Sequence, residues 1–272
     1  MGEATKIPES FYLDLGDGRF ASTAATRGPW DERTQHAGPP AALLAYAIEH
    51  REGARADMRV ARIAYSISRP VPIAPVLVTT RVIRSGRGTE EVEATLAALD
   101  ANGEPGRAVM RAEAVLIRVA PGATPAHRRS LKIIEPAALT STVTPFLFDV
   151  GYHTAMETRD AEGSFAKPGP ATIWFRMRCP LIAGQPIDPL SRVLIAADSG
   201  NGVSQVLDPL THVFINAELT VHLLRYPVGE WVCIDAVTLI EPDGIGLADT
   251  ALYDIEGSIG RGSQSLFVAM RP

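Results

Sequence analysis

One turn sequence occurs twice in this chain. Asp100-Ala101-Asn102-Gly103-Glu104-Pro105-Gly106-Arg107 has the form DxxGxxGR, and Asp254-Ile255-Glu256-Gly257-Ser258-Ile259-Gly260-Arg261 repeats that form in the second half. Each copy separates the last two strand-like runs of its half. Upstream, Arg69-Pro70-Val71 has a loose counterpart in Arg225-Tyr226-Pro227-Val228, at nearly the same displacement. A single short motif recurs by chance, but a match that falls between the same two elements of two similar strings marks a duplication. The chain is therefore read as two copies of one fold, packed as a pseudo-dimer.

The elements of each half support that reading. Residues 11–25 read as a hairpin around Gly16-Asp17-Gly18. After a loop from Arg27 to Gly38, Pro39 and Pro40 open a helix, where prolines are tolerated because the first turn donates no intrahelical bond. Leu43, Leu44, Ala47 and Ile48 form its apolar face. Four runs then follow between Val60 and Val119, rich in β-branched or alternating residues and separated by Pro, Gly and Asp-Ala-Asn-Gly turns. One long helix with five strands is the inventory of a hot-dog domain. Residues 120–148 carry Pro121, Pro125, Pro136, Pro145 and a short basic patch, His127-Arg128-Arg129. They read as a linker between an N-terminal domain, 1–119, and a C-terminal domain, 149–272. The second half repeats the order: the run ATIWFRMRCPL, a helix, then four antiparallel runs. The expected class is α+β, a double hot-dog in which each antiparallel sheet wraps a long helix.

The second helix is the informative one. Leu190, Val193, Leu194 and Ala197 recur at i, i+3, i+4 and i+7, and Asp188-Pro189 supplies an N-cap followed by the residue suited to N1. Asp198 arrives one turn after Leu194. It sits either at the solvated end of the helix or at the lip of a pocket. The displacement between the two turn motifs carries Asp198 onto Ala41 to Leu44, all apolar, and carries Gln264 onto Arg107 to Met110. Only the second copy holds the carboxylate, as expected if one site survived duplication and the other became scaffold.

Composition excludes several classes of function. A formal net charge of −5 with no dense Lys/Arg run argues against a nucleic-acid or anionic-membrane surface. Cys179 and Cys233 lack metal-ligand or disulfide spacing and read as small buried residues. No stretch is long and apolar enough to span a membrane, and nothing near the start reads as a leader, so a cytoplasmic protein is expected. No GxSxG elbow occurs, and the glycine pairs lie between strands rather than before helices, which excludes a dinucleotide loop. Trp30, Trp174 and Trp231 read as core or interface aromatics. His36, before the first helix, reads as a solvated loop residue, and His222 as a packed or surface residue.

The runs ATIWFRMR, RVLIAADSGNG, FINAELTVHLLR and GRGSQSLFVAMR resemble those of double hot-dog acyl-CoA thioesterases of the thioesterase II type. The resemblance implies an acyl-CoA thioesterase of lipid metabolism that releases free acid and CoA through a water held by Asp198, Gln264 and a Thr or Ser, without metal or other cofactor. Asp198 would be the base. The Thr/Ser position falls on Asn216, a departure that removes the hydroxyl. Two substrate-binding candidates accompany these three: Glu218, two residues along the strand from Asn216 and so expected on the same face, and Gly38, at a helix start suited to an oxyanion. The expected partner is acyl-CoA, and homo-oligomerisation stays open. Asn216 also favours an alternative, a non-catalytic acyl-CoA or lipid-binding protein of the same fold. An enoyl thioester hydratase would want an Asp/His pair, and no histidine is expected near Asp198.

Overall fold

A computed structural model describes residues 8–127, 133–142 and 148–271. Arg128, Arg129 and Pro145 of the expected linker lie outside them. The first half contains β1 (Tyr12–Gly16), β2 (Arg19–Ser22), α1 (Gly38–Glu49), β3 (Met58–Ile67), β4 (Pro75–Ser85), β5 (Thr89–Leu99) and β6 (Pro105–Arg118). The second contains α2 (Tyr152–Ala155), β7 (Met156–Glu162), β8 (Ala171–Met177), α3 (Pro189–Ala197), α4 (Gly200–Val203), β9 (His212–Asn216), β10 (Glu218–Leu223), β11 (Trp231–Ile240), β12 (Ile245–Asp254) and β13 (Gly257–Met270).

Among the described residues these strands form one large antiparallel sheet whose order is palindromic. From the centre outwards, one side runs β3, β6, β5, β4, β2, β1 and the other β10, β13, β12, β11, β8, β7. β3 and β10 pair antiparallel across the centre, from Glu218 opposite Ser66 to His222 opposite Arg62. α1 and α3 pack against each other, with α1 also covering β3 to β6 and α3 covering β8, β11 and β12. Residues of both halves merge into one apolar core. The repeated turn has a physical basis in both places. The Asp100 carboxylate accepts from the backbone N–H of Asn102 and Glu104, the Asp254 carboxylate accepts from that of Glu256, and Gly103 and Gly257 take positive φ of 80° and 117°.

The structure modifies four expectations. The second helix is not one long rod: α3 has nine residues, the chain tightens with Ser199 N–H donating to the Ala196 carbonyl, and α4 adds one further turn. Part of the expected linker is docked on the second half. The Trp174 indole N–H donates to Ile134 O at 2.9 Å, Arg159 Nη1 donates to Pro136 O at 2.6 Å, and Ile133 and Leu139 pack on Trp174 and Tyr253. Trp30 is 58% exposed, with the Arg271 guanidinium 5.7 Å from its ring centroid, and so is not a core residue. Cys179 and Cys233 are buried as expected, and burial pushes their thiols up, Cys179 to about 12.

The fourth correction concerns Glu218. β9 and β10 both pair with β13, but their registers differ by one residue, Asn216 opposite Leu266 and then Thr220 opposite Ser263. This bulge at Ala217 reverses the alternation, so that Phe214 is buried on one side of it and Leu219, Val221 and Leu223 on the other. Two residues along the strand is therefore not the same face here. Glu218 Oε1 instead accepts the Ser265 backbone N–H at 2.7 Å, and its Oε2 accepts the Thr220 hydroxyl at 3.0 Å. The side chain fills the gap that the bulge opens in the ladder. Glu218→Ala is expected to cost about 1–2 kcal/mol, a fall of roughly 2–8 °C in melting temperature at this size, whereas Glu218→Gln, which can still accept from Ser265, should lose less; thermal unfolding of the two variants checks both.

Candidate active site

Asp198 lies where three elements converge. Asp188 caps α3 through its carboxylate, which accepts the Ser191 N–H at 2.8 Å; Leu190, Val193, Leu194 and Ala197 are buried, and α3 packs on α1 and on β8, β11 and β12. Gly38 permits that approach, since a Cβ there would lie 2.5 Å from Ile195 O. The helix ends on Asp198, whose side chain is only 3% exposed. A carboxylate at this position meets the negative end of the helix dipole and is cut off from water, so it requires donors. Asn216 Nδ2 and Gln264 Nε2 each donate to Oδ1 at 3.2 Å, and Gln264 Nε2 also reaches the Asp198 carbonyl at 3.1 Å. The structure brings the three expected residues together and buries Asp198 rather than leaving it at a solvated helix end.

Gln264 is clamped from both sides. Its Oε1 accepts the Asn201 backbone N–H at 3.0 Å while Nε2 faces Asp198, which fixes the orientation of an amide that is otherwise ambiguous. Gly200 leaves room for it, since a Cβ there would come within 3.1 Å of Oε1 and 2.5 Å of Thr250 Oγ1. Asn216, on β9, spends Nδ2 on Asp198, so its amide oxygen remains able to accept from a bound water.

The fourth member of the cluster is His36, which corrects two expectations at once. It is not a solvated loop residue, because its side chain is 15% exposed, and a histidine does lie beside Asp198, with Nδ1 at 3.0 Å from Oδ2. Its ring stacks on Tyr152 of α2, centroids 3.9 Å apart and planes 4° from parallel. Burial raises the pKa of the Tyr152 hydroxyl, so it stays protonated between Ile195 O at 2.8 Å and Ser199 Oγ at 2.9 Å. His36 precedes the helix of the half that lacks the carboxylate. Only the packing of one half on the other joins the pair; a histidine directly before the first helix of a duplicated fold was the available signal.

Nδ1 of His36 is also 3.1 Å from the Gly38 backbone N. One ring nitrogen cannot accept from that N–H and donate to Asp198 together. A carboxylate opposite a nitrogen lone pair is repulsive, whereas N–H to carboxylate is charge-assisted, so the proton belongs on Nδ1. Gly38 N–H then loses its acceptor. Pro39 and Pro40 have no N–H and Ala41 donates to Ala37 O, which leaves Gly38 as the donor at the start of α1. Glu218 lies outside this cluster, held by Ser265 and Thr220. Among the described residues no group of three or more His, Cys, Asp or Glu side chains could hold a metal ion.

Comparison with known proteins agrees with this architecture. Residues 26–120 match the family model of the acyl-CoA thioesterase N-terminal domain, and residues 134–268 match that of the acyl-CoA thioesterase C-terminal domain. No curated protein matches the sequence. Among solved structures, a putative thioesterase II from Thermobifida fusca is similar at 18% identity and a TM-score of 0.72, covering 97% of this chain and 96% of its own. A hot-dog protein of unknown function from Alicyclobacillus acidocaldarius is similar at 15% identity and 0.73, covering 97% of both chains. A putative thioesterase from Novosphingobium aromaticivorans is similar at 17% identity and 0.71, covering 94% of this chain and 98% of its own. At these identities the likeness is one of fold. The two family matches together span most of the sequence: this chain belongs to the acyl-CoA thioesterase family and is a thioester hydrolase.

Proposed function

We propose that this protein is a double hot-dog acyl-CoA thioesterase that hydrolyses acyl-CoA to free acid and CoA at a single site per chain. The domains proposed are 1–119 and 149–272, joined by 120–148. The observation that carries the reading is a buried carboxylate, Asp198, ringed by amide donors and an imidazole at the junction of the two halves. Hydrolysis of a thioester needs a nucleophilic water and a place for the charge that develops on the carbonyl oxygen. Asp198 supplies the negative charge on which activation of the water depends. Asn216 and Gln264 cannot titrate, so their roles are positional: Asn216 offers its amide oxygen to the water and Gln264 holds the Asp198 carboxylate. Gly38 N–H, at the positive end of α1, is suited to the oxyanion. A cytoplasmic setting in lipid metabolism belongs to the same reading.

A second reading, hydration of an enoyl thioester, is favoured by the contact between His36 and Asp198. The two differ in product. A thioesterase releases thiol from acyl-CoAs, whereas a hydratase removes the enoyl absorbance and releases none. A non-catalytic binding protein does neither.

Asp198→Asn keeps size and polarity, and is expected to lower kcat by about 10²- to 10⁴-fold with little change in melting temperature, because the loss falls on the transition state and not on packing. Thiol release from a panel of acyl-CoAs measures it. Asn216→Thr should retain or raise activity, since a hydroxyl can still donate to Asp198. If the wild type releases no thiol and Asn216→Thr does, the chain is a binding protein; if Asp198→Asn is as active as the wild type, Asp198 is not the activating group.

A further inference from the structure

We infer that His36 is a catalytic residue: its Nε2 takes the proton from the attacking water and returns it to the departing thiolate, while Asp198 holds the imidazole from behind. The inference rests on the thioesterase reading and assigns within it the atom that meets the water. Both oxygens of Asp198 are engaged inside the protein, Oδ1 by two amide donors and Oδ2 by His36 Nδ1, and the side chain is 3% exposed. The carboxylate has almost no surface to offer a nucleophile. His36 is five times as exposed, at 15%, and its Nε2 has no hydrogen-bond partner among the described residues. With the proton on Nδ1, Nε2 carries a lone pair. The stacked Tyr152 ring, itself tethered to Ile195 O and Ser199, fixes the plane in which that lone pair points.

The arrangement has the logic of a carboxylate, an imidazole and an activated oxygen in series, where the carboxylate orients the ring and stabilises its charged form. In the first step the water O–H bond breaks, its proton goes to Nε2, and the hydroxide oxygen bonds to the thioester carbon. In the second the tetrahedral adduct collapses, the C–S bond breaks, and the sulfur receives the proton from Nε2. Water and thioester become acid and thiol, and His36 ends neutral. Asp198 keeps its charge throughout. Among the described residues the titratable groups shown in contact with the ring are Asp198 at the end of α3 and Tyr152 on α2; His153 follows Tyr152 in α2, and Tyr65 on β3, whose hydroxyl donates to Ala41 O at 2.9 Å, feels the Asp198 charge. Burial raises the pKa of both tyrosine hydroxyls, and the Asp198 charge adds to it, so neither titrates in the range where a histidine does.

The test uses the full chain and the acyl-CoA that the wild type hydrolyses best. His36→Gln can still donate to Asp198 through its amide but cannot carry a proton, and His36→Ala leaves a space for free imidazole. Expected are a fall in kcat of about 10²- to 10⁴-fold for His36→Gln, loss of whatever rise of kcat/KM with pH the wild type shows, and at least about tenfold recovery of His36→Ala by imidazole. Asp198→Asn should gain no such recovery. A His36→Gln rate within threefold of the wild type overturns the inference alone. So does a slower His36→Gln whose pH profile is unchanged, with no imidazole recovery in His36→Ala, since His36 would then only position Asp198. A wild type that releases no thiol from any acyl-CoA overturns the thioesterase reading, and the inference with it.

Discussion

The buried carboxylate of Asp198 is the constraint around which the rest is arranged. Taking it from water to the negative end of a helix is unfavourable unless donors replace the lost solvation. Those donors come from separate elements: Asn216 from β9, Gln264 from β13 and His36 from the loop ahead of α1. None of the three can be removed without leaving the charge under-solvated, and His36, the one donor from the first half, is in place only when the two halves are packed. Close contact between α1 and α3, which Gly38 permits, is thus a condition for the site as well as for the core.

The repeated order of elements accounts for a single cluster of this kind among the described residues. The strand order reads the same outwards from the pair of β3 and β10, and the repeated DxxGxxGR turns close corresponding hairpins. Where the second half has Asp198 and Gln264, the first has Ala41 to Leu44 and the buried Met110. Those apolar side chains need no donors and pack directly. The first half nevertheless contributes His36 and Gly38, so the site belongs to the junction of the halves and not to the second half alone.

Much of this is legible in the sequence. The N-cap at Asp188, the strand runs and the convergence of Asp198 with Gln264 and Asn216 follow from local rules or from the resemblance. Three features are not. His36 and Asp198 are neighbours only through packing across the halves, which no local pattern reports. The bulge at Ala217 reverses the faces between Asn216 and Glu218, so an argument from strict alternation put Glu218 on the wrong side. Proline-rich sequence suggested a linker at 120–148, yet residues 133–142 cover Trp174, because an exposed indole on the outer face of β8 is itself a surface to bury.

The most direct test of the account is a crystal structure of the full chain with a non-hydrolysable acyl-CoA analogue. The account predicts one analogue per chain, with its carbonyl carbon about 3–3.5 Å from a water or oxygen held at His36 Nε2, the near-attack separation for such a reaction, and its carbonyl oxygen towards Gly38 N–H. An analogue whose carbonyl lies beside Leu44 and Met110 instead, or one occupying both positions equally, would contradict it.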